Sequence, residues 1–90
     1  GGEEFLVVAC ETNLDGACRL AEKLRAAIEA FDFPVAGKKT ASFGVAALRS
    51  GEKIKALITR ADEALYNAKN SGRNRVSSLE KSGSSFPFFF

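Results

Sequence analysis

Two groups of charged residues in this 90-residue chain are spaced so that they could bind a phosphorylated ligand. The first opens the chain, where Gly1 and Gly2 precede the adjacent carboxylates Glu3 and Glu4 and an apolar run. Bare glycine backbone lets a bulky ligand approach closely, and Mg²⁺ accepts carboxylate oxygens together with water and substrate phosphate. This pattern fits a metal and phosphate site at a turn. It fits equally a polar hairpin turn whose glutamates are only solvated.

The second group is Lys69 and Arg73, four residues apart across the expected end of a helix. An arginine can hold a phosphate with two parallel hydrogen bonds, while a lysine supplies a point charge to the same anion. Cations also favour helix C-termini simply because they offset the helix dipole. Both interpretations stay open for this pair when it is considered alone.

The first half of the chain predicts a strand followed by a helix. Residues 5–10 form a continuous apolar run with β-branched members, which predicts a buried strand entered through a Gly1-Gly2 hairpin turn. Apolar residues then recur at three- and four-residue intervals up to Phe31, which predicts an amphipathic helix that Pro34 ends. Its N-cap candidates are Thr12, Asn13 and Asp15.

The second half predicts a hairpin, a second helix and a last strand. A turn around residues 37–39 leads into a strand at 41–48, in which Gly44 indicates a bulge or a close backbone approach. Residues 50–52 offer a cap for a helix with an apolar face from Ile54 to Ala68, and Gly72 has the position of a C-terminal glycine. Residues 73–76 then begin the last strand.

The order β-α-β-β-α-β predicts an α+β fold with helices on one face of an antiparallel sheet. We expect residues 1–77 to form the domain and residues 78–90 to be a disordered Ser- and Phe-rich tail. The aromatic end of that tail is an aggregation risk that Pro87 reduces, and a docking peptide is the alternative interpretation.

Composition excludes several classes of function. The net charge of +2 is too small to indicate nucleic acid as a partner. The chain has no histidine, and Cys10 and Cys18 form no CxxC pair, so the composition argues against a zinc site and excludes histidine-dependent chemistry. Two free thiols favour a reducing cytoplasm. No apolar run approaches the roughly 20 residues that span a bilayer, although attachment of a parent protein to a membrane stays open.

Three stretches together resemble the GGDEF domain of diguanylate cyclases. Residues 1–5 read G-G-E-E-F, the GG(D/E)EF signature, and residues 60–74 resemble that family's second signature, R-A-D-x-A-L-Y-x-A-K-x-x-G-R-N. Residues 41–46 are similar to its S-[IF]-G-[VI]-A strand. The three stretches have the family's order and spacing, and they cover residues 1 to about 76. The chain therefore resembles the C-terminal portion of such a domain.

The resemblance implies a palm-like, ferredoxin-like fold and a reaction in which two GTP condense to cyclic di-GMP with loss of two pyrophosphates. Each domain of a homodimer would hold one GTP, and Mg²⁺ or Mn²⁺ would be the cofactor. The 3′-hydroxyl of each nucleotide would attack the α-phosphate of the other.

The matched positions then acquire roles from the resemblance. Gly1 and Gly2 would make room for ribose and phosphates, and Glu3 would bind metal and deprotonate the 3′-hydroxyl. Glu4 would assist at the metal. The terminal phosphates would be neutralised by Lys69 and Arg73.

The family's domain extends upstream of this signature. That part carries a metal-binding Asp strand, the guanine-recognising residues and an RxxD inhibition motif, so the upstream half of its own domain is an expected partner. We expect the 90 residues alone to be inactive, and their first strand to have unpaired edges that invite self-association.

Two other functions compete with a catalytic parent. One is a degenerate GGDEF module that binds GTP or cyclic di-GMP, or only dimerises, in a bacterial signalling protein. The other is a ferredoxin-like interaction module whose motif matches arose by chance. The intact acidic pair and the Lys69–Arg73 pair favour the enzyme.

Overall fold

The computed structural model describes residues 2–10, 13–79 and 87–89. Within these described residues, two long helices and six strands follow one another, and their order confirms the predicted β-α-β-β-α-β arrangement. A short hairpin takes the place of the first of the two middle strands. The elements are β1 (Gly2–Ala9), α1 (Leu14–Ala30), β2 (Asp32–Phe33), β3 (Gly37–Lys38), β4 (Thr40–Ala47), α2 (Ile54–Asn70), β5 (Val76–Leu79) and β6 (Pro87–Phe89).

The main sheet is largely parallel, so the expected antiparallel sheet was wrong. Its strand order is β1-β4-β5-β6; β1 and β5 both pair in parallel with β4, and only β6 runs antiparallel, against β5. A helix lies between β1 and β4 and another between β4 and β5. Helical crossovers of this kind join parallel strands, because they return the chain to the end of the sheet from which it started. The hairpin strands β2 and β3 form a separate sheet, and β4 is not their partner.

The two helices pack on opposite faces of β4, not on one face as predicted. Alternate residues of the strand, Ala41, Phe43 and Val45, share a buried cluster with α1. The next residue along, Ala46, packs with Leu57 and Ala61 of α2. Successive strand side chains point to opposite faces, so β4 is covered on both sides and forms the centre of the core.

Gly44 lies on the α2 face of β4, where the helix backbone comes close. A Cβ atom added there would stand 2.7 Å from Cβ of Leu65 and would collide with backbone atoms of α2. The pairing register with β1 continues through Gly44 without interruption. The predicted close approach is therefore confirmed, and no bulge is present at this position.

The helix ends follow local rules in three of four cases. Asn13 caps α1, its Oδ1 accepting a hydrogen bond from the Gly16 amide at 2.8 Å, and the helix ends before Pro34. Gly72, with φ +119°, follows the end of α2 as predicted. The start of α2 differs, because Lys53 occupies the N-cap without a side-chain hydrogen bond and Ser50 lies outside the helix.

Burial differs from the prediction at the first strand and on α1. Phe5, Leu6 and Val8 of β1 are exposed, because within the described residues no strand pairs with the outer edge of β1. One edge of β1 is thus open and its other edge pairs with β4, whereas both edges were expected to be unpaired. On α1, Leu24 is exposed, whereas Cys18, outside the predicted apolar stripe, is fully buried.

The C-terminal residues extend the sheet beyond the expected boundary at 77. The last predicted strand begins at Val76, so residues 73–75 form a loop instead. Residues 87–89 form β6, while residues 80–86 and 90 of the predicted tail lie outside the described residues. Whether residues 78–90 lie outside the domain stays a prediction. Among the described helices, none is both long and apolar enough to cross a membrane.

Candidate functional site

The start of β1 and the end of α2 meet at the Glu4 carboxylate. Its Oε1 lies 3.3 Å from Nζ of Lys69, and its Oε2 lies 3.7 Å from Nη1 of Arg73. The two groups of charged residues at opposite ends of the sequence are therefore neighbours in the fold. Both cations converge on a single anionic group.

The end of α2 is built so that Lys69 and Arg73 face the same way. The Arg73 amide donates to the Ala68 carbonyl at 2.9 Å and the Gly72 amide to the Lys69 carbonyl at 3.5 Å, the bonding pattern of a Schellman motif. Gly72 supplies the positive φ that this reversal requires. The chain thereby turns back at the helix end and brings Arg73 beside the last helical turn.

Glu3 and Glu4 do not share a face of the strand. Because β1 already begins at Gly2, its side chains alternate through the acidic pair. The Oε2 of Glu3 lies 3.4 Å from Nζ of Lys39, on the side away from the Lys69 pair. Sequence reasoning missed Lys39, whose only indication was its position in the turn before β4.

The two opening glycines are placed differently from the predicted hairpin turn. Gly2 belongs to β1 and pairs in register with Thr40. An added Cβ at Gly2 would meet Thr40 Oγ1 at 3.3 Å, so the space beside it is already narrow. Gly1 lies outside the described residues.

A cavity of about 210 Å³ adjoins the Glu4–Lys69 pair. Its lining includes residues of α2 that precede Lys69, namely Asp62, Leu65 and Tyr66. Asp62 and Tyr66 belong to the second signature, although sequence reasoning gave neither a role. The cavity thus places a second carboxylate near Glu4 on the same side of the sheet.

The ion pairs at this site are accessible to solvent. The side chains of Glu4, Lys69 and Arg73 are each about one third to one half exposed. Exposed pairs of this kind contribute about 0–1 kcal/mol, so an incoming phosphate can displace the carboxylate from either cation at small cost. The arrangement can therefore bind an anion with two donors that are already directed to one point.

The residues present fit a divalent ion only as part of its ligand set. Among the described residues, no three His, Cys, Asp or Glu side chains converge as a metal cluster would require. Mg²⁺ commonly takes one or two carboxylates and completes its shell with water and substrate phosphate. Glu4 and Asp62 at the cavity, or Glu3 on the other face, could hold Mg²⁺ that arrives with a nucleotide triphosphate.

Arg60, the first residue of the second signature, has a structural role. Arg60 forms an ion pair with Glu52 and donates to the Ala47 carbonyl at 2.8 Å, which ties the start of α2 to the end of β4. Hydrogen bonds from Arg60 and from the Arg49 amide lower the pKa of Glu52. A larger cavity of about 540 Å³ lies at this end of α2, remote from the Glu4 site along the helix.

Comparison with known proteins identifies a family for the chain. The family model described as "Diguanylate cyclase, GGDEF domain" matches residues 1–75. The chain is 45% identical over 76 residues to diguanylate cyclase DgcM of Escherichia coli, and 45% identical over 82 residues to the response regulator PleD of Caulobacter vibrioides. It is 44% identical over 85 residues to diguanylate cyclase VdcA of Vibrio cholerae.

These matches cover most of this chain and a minor part of each relative. They include 84% of the chain for DgcM and PleD and 88% for VdcA, but only 18%, 18% and 25% of the respective relatives. No solved structure matches the chain at a significant level.

Proposed function

Because the chain belongs to the GGDEF family of diguanylate cyclases, we propose that it is the phosphate-binding part of a domain that condenses two GTP into cyclic di-GMP. The observation that carries the proposal is the convergence of Lys69 and Arg73 on Glu4. Two cations directed at one exposed anion suit the terminal phosphates of a nucleotide.

In this proposal Lys69 and Arg73 bind the β- and γ-phosphates and neutralise the charge that accumulates on the leaving pyrophosphate. Bound Mg²⁺ or Mn²⁺ would polarise the phosphate oxygens and favour ionisation of the attacking hydroxyl. Glu4 would contribute a carboxylate oxygen to that ion beside the phosphates. Gly1 and Gly2 would add no side chain beside the ribose.

Glu3 receives a separate task, because its carboxylate lies on the other face of β1 from that of Glu4. We assign it as the base that accepts the proton of the 3′-hydroxyl and as a further metal ligand. Lys39, 3.4 Å away, would hold that carboxylate in place before substrate arrives. The bond that forms joins the 3′-oxygen of one GTP to the α-phosphorus of the other, and the bond that breaks releases pyrophosphate.

A homodimer is part of the proposal, since each active site would need two nucleotides held by facing domains. The upstream half of the domain is a second partner, and the open outer edge of β1 among the described residues is where it would add. We expect no turnover from the 90 residues alone, because the described residues supply no complete metal-ligand set.

The alternative is a GGDEF module that binds GTP or cyclic di-GMP, or only dimerises, without catalysis. The incomplete ligand set is the observation that favours it. Intact Glu3 and Glu4 favour the enzyme, because a module that only binds has no need of a base.

The test is conversion of GTP with Mg²⁺ by the intact protein, with any sequence that adjoins these 90 residues, followed by chromatography of the nucleotides. We expect cyclic di-GMP, and a loss of about 100-fold or more in its rate for Glu3→Gln, Lys69→Ala or Arg73→Ala. Lys55→Ala, on the same helix but lining the remote cavity, is the matched control.

The outcomes separate the alternatives. Saturable GTP binding without product would support the binding module and overturn the enzyme. Neither binding nor product, with no effect of the Lys69 and Arg73 substitutions, would leave a structural interaction module.

A further inference from the structure

Arg25, in the middle of α1, connects that helix to the loop that carries Arg73. Its Nε and Nη2 donate to the two carboxylate oxygens of Glu22 at 2.8 and 2.7 Å, and its Nη1 donates to Glu29 at 3.0 Å. The same Nη1 reaches Oδ1 of Asn74 at 2.9 Å, although 49 residues separate the two in sequence. With its side chain only 15% exposed, this guanidinium is a fixed support and not a solvated surface group.

Asn74 is held on three sides. Besides accepting from Arg25, it donates from Nδ2 to Glu29 Oε2 at 2.8 Å, and its backbone amide donates to Oγ of Ser42 on β4 at 3.1 Å. Charge-assisted hydrogen bonds of this kind are stronger than neutral ones. The ionised form of each carboxylate is favoured accordingly, since hydrogen bonds from Arg25 lower the pKa of Glu22, and those from Asn74 and Arg25 lower the pKa of Glu29.

The segment that these bonds hold has an unfavourable backbone conformation. Gly72, Arg73 and Asn74 have φ of +119°, +62° and +48° in succession. Left-handed geometry costs a residue such as Arg73 about 1–2 kcal/mol and costs Asn less, so the segment would relax if nothing opposed it. The contacts of Asn74 with α1 and β4 provide that opposition one residue beyond Arg73.

We propose that Arg25 is a positioning residue for Arg73, acting through Asn74, and that Glu22 and Glu29 fix the guanidinium for this task. The proposal rests on the proposed function of Arg73 as a phosphate ligand. Arg25 itself is on the α1 face and does not reach the Glu4 site. Its effect on a triphosphate is transmitted by the backbone from residue 74 to residue 73, which keeps the Arg73 side chain beside Glu4 and Lys69.

The first test measures the geometry without any ligand. In Arg25→Lys, which keeps the charge but loses the fork, we expect amide hydrogen exchange at residues 73 and 74 to accelerate about tenfold, while amides within α2 stay protected. Asn74→Gly tolerates the positive φ but lacks the side chain, and we expect the same local acceleration. Unchanged exchange at both amides in these variants would overturn the proposal.

Arg19→Lys is the matched control for these measurements. Arg19 is on the same helix and forms an ion pair with Asp15 at 3.5 Å, but both side chains are exposed and the pair lies within α1. We expect wild-type exchange in this variant. An equal acceleration there would mean that replacing any arginine of α1 by lysine loosens the loop, which would also overturn the proposal.

The second test asks whether Arg25 acts through Arg73. Titration of Mg·GTP into the intact protein should show that Arg25→Lys raises the Kd about tenfold. In the Arg73→Ala background, the added Arg25→Lys substitution should raise the Kd no further than Arg73→Ala alone. Equal weakening in both backgrounds would indicate a purely structural role and refute positioning. Absence of GTP binding by the unsubstituted protein would instead refute the proposed function, and the exchange measurement would still decide whether Arg25 orders the loop.

Discussion

Gly44 of β4 lies directly against the backbone carbonyl of Ala61 in α2, with no space between them for a side chain. The neighbouring turn of the helix closes the gap from the other side, where Leu65 Cβ would be 2.7 Å from an added Cβ. This contact sets the distance between α2 and the sheet. The same helix carries Lys69 in its last turn, so the packing at Gly44 determines where the phosphate-binding end of α2 lies relative to Glu4.

Gly44→Ala is therefore expected to destabilise the fold by about 1–3 kcal/mol, because the helix backbone must move to admit the methyl group. Urea unfolding followed by circular dichroism measures the loss. Gly2→Ala is the matched control in the same sheet, since its added Cβ would lie 3.3 Å from the hydroxyl of Thr40 and 3.7 Å from its carbonyl oxygen, without a collision. A Gly44→Ala protein as stable as Gly2→Ala would contradict the tight packing.

Acid should weaken the link between the start of α2 and the end of β4. Hydrogen bonds from Arg60 and the Arg49 amide lower the pKa of Glu52. The stabilisation from this carboxylate is complete above its ordinary pKa of 4.5 and is lost as the pH falls through the lowered value. We expect the urea midpoint to fall less steeply between about pH 5 and pH 3 in Glu52→Gln than in the wild type.

Arg60→Gln removes the partner of that carboxylate and should flatten the same part of the profile. Glu22 and Glu29 also have lowered pKa values, so part of the acid sensitivity is expected to persist in both variants. An unchanged slope in Glu52→Gln would show that this ion pair is not linked to folding.

The two cysteines should differ in reactivity by their burial. Cys18 is 1% exposed, and desolvation raises the pKa of its thiol, whereas Cys10 is exposed. The thiolate is the reactive form, so an aromatic disulfide reagent should modify one thiol quickly in the native chain and the second only in denaturant. Cys10→Ser is expected to abolish the fast phase and Cys18→Ser to leave it. Rapid modification of native Cys10→Ser would contradict the burial of Cys18.

The outer edge of β1 should drive association of the isolated 90 residues. Leu6 and Val8 are each 43% exposed on a strand whose outer edge is unpaired within residues 2–10, 13–79 and 87–89. Such edges template pairing with another chain, and a lysine there opposes it. We expect sedimentation velocity to show concentration-dependent association that Leu6→Lys reduces.

Val35→Lys is the control for that substitution, because Val35 is fully exposed in the turn between β2 and β3. It adds the same charge at a site away from β1. Equal effects of the two lysines would attribute the association to net charge and not to the strand edge.

Much of the local structure was predictable because it depends on residues close together in sequence. The helical period of α1 and α2, the Asn13 cap and the glycine after α2 are fixed by neighbours within one or two turns. The close approach at Gly44 was also indicated, since glycine within a strand is unfavourable without such a reason. The motif residues identified the family without any coordinates.

The orientation of the strands and the burial of β1 were not predictable in the same way. An apolar run predicts a strand, but its pairing partner depends on segments distant in sequence, and the edge position of β1 left Phe5 and Leu6 exposed. The separation of Glu3 from Glu4 follows from where β1 begins. Had the strand been extended to Gly2, the two-residue period would have predicted opposite faces for the two carboxylates.

By itself the sequence determined which residues carry charge, which segments are helices and where three of their four ends lie, and that the chain belongs to the GGDEF family. Only the tertiary structure decided that Glu4, and not Glu3, meets Lys69 and Arg73, and that Arg25 supports Asn74 across 49 residues. Capping and periodicity are local properties of the chain. Contacts between β1, α1 and the end of α2 form only when the sheet brings distant segments together, so no local pattern specifies them.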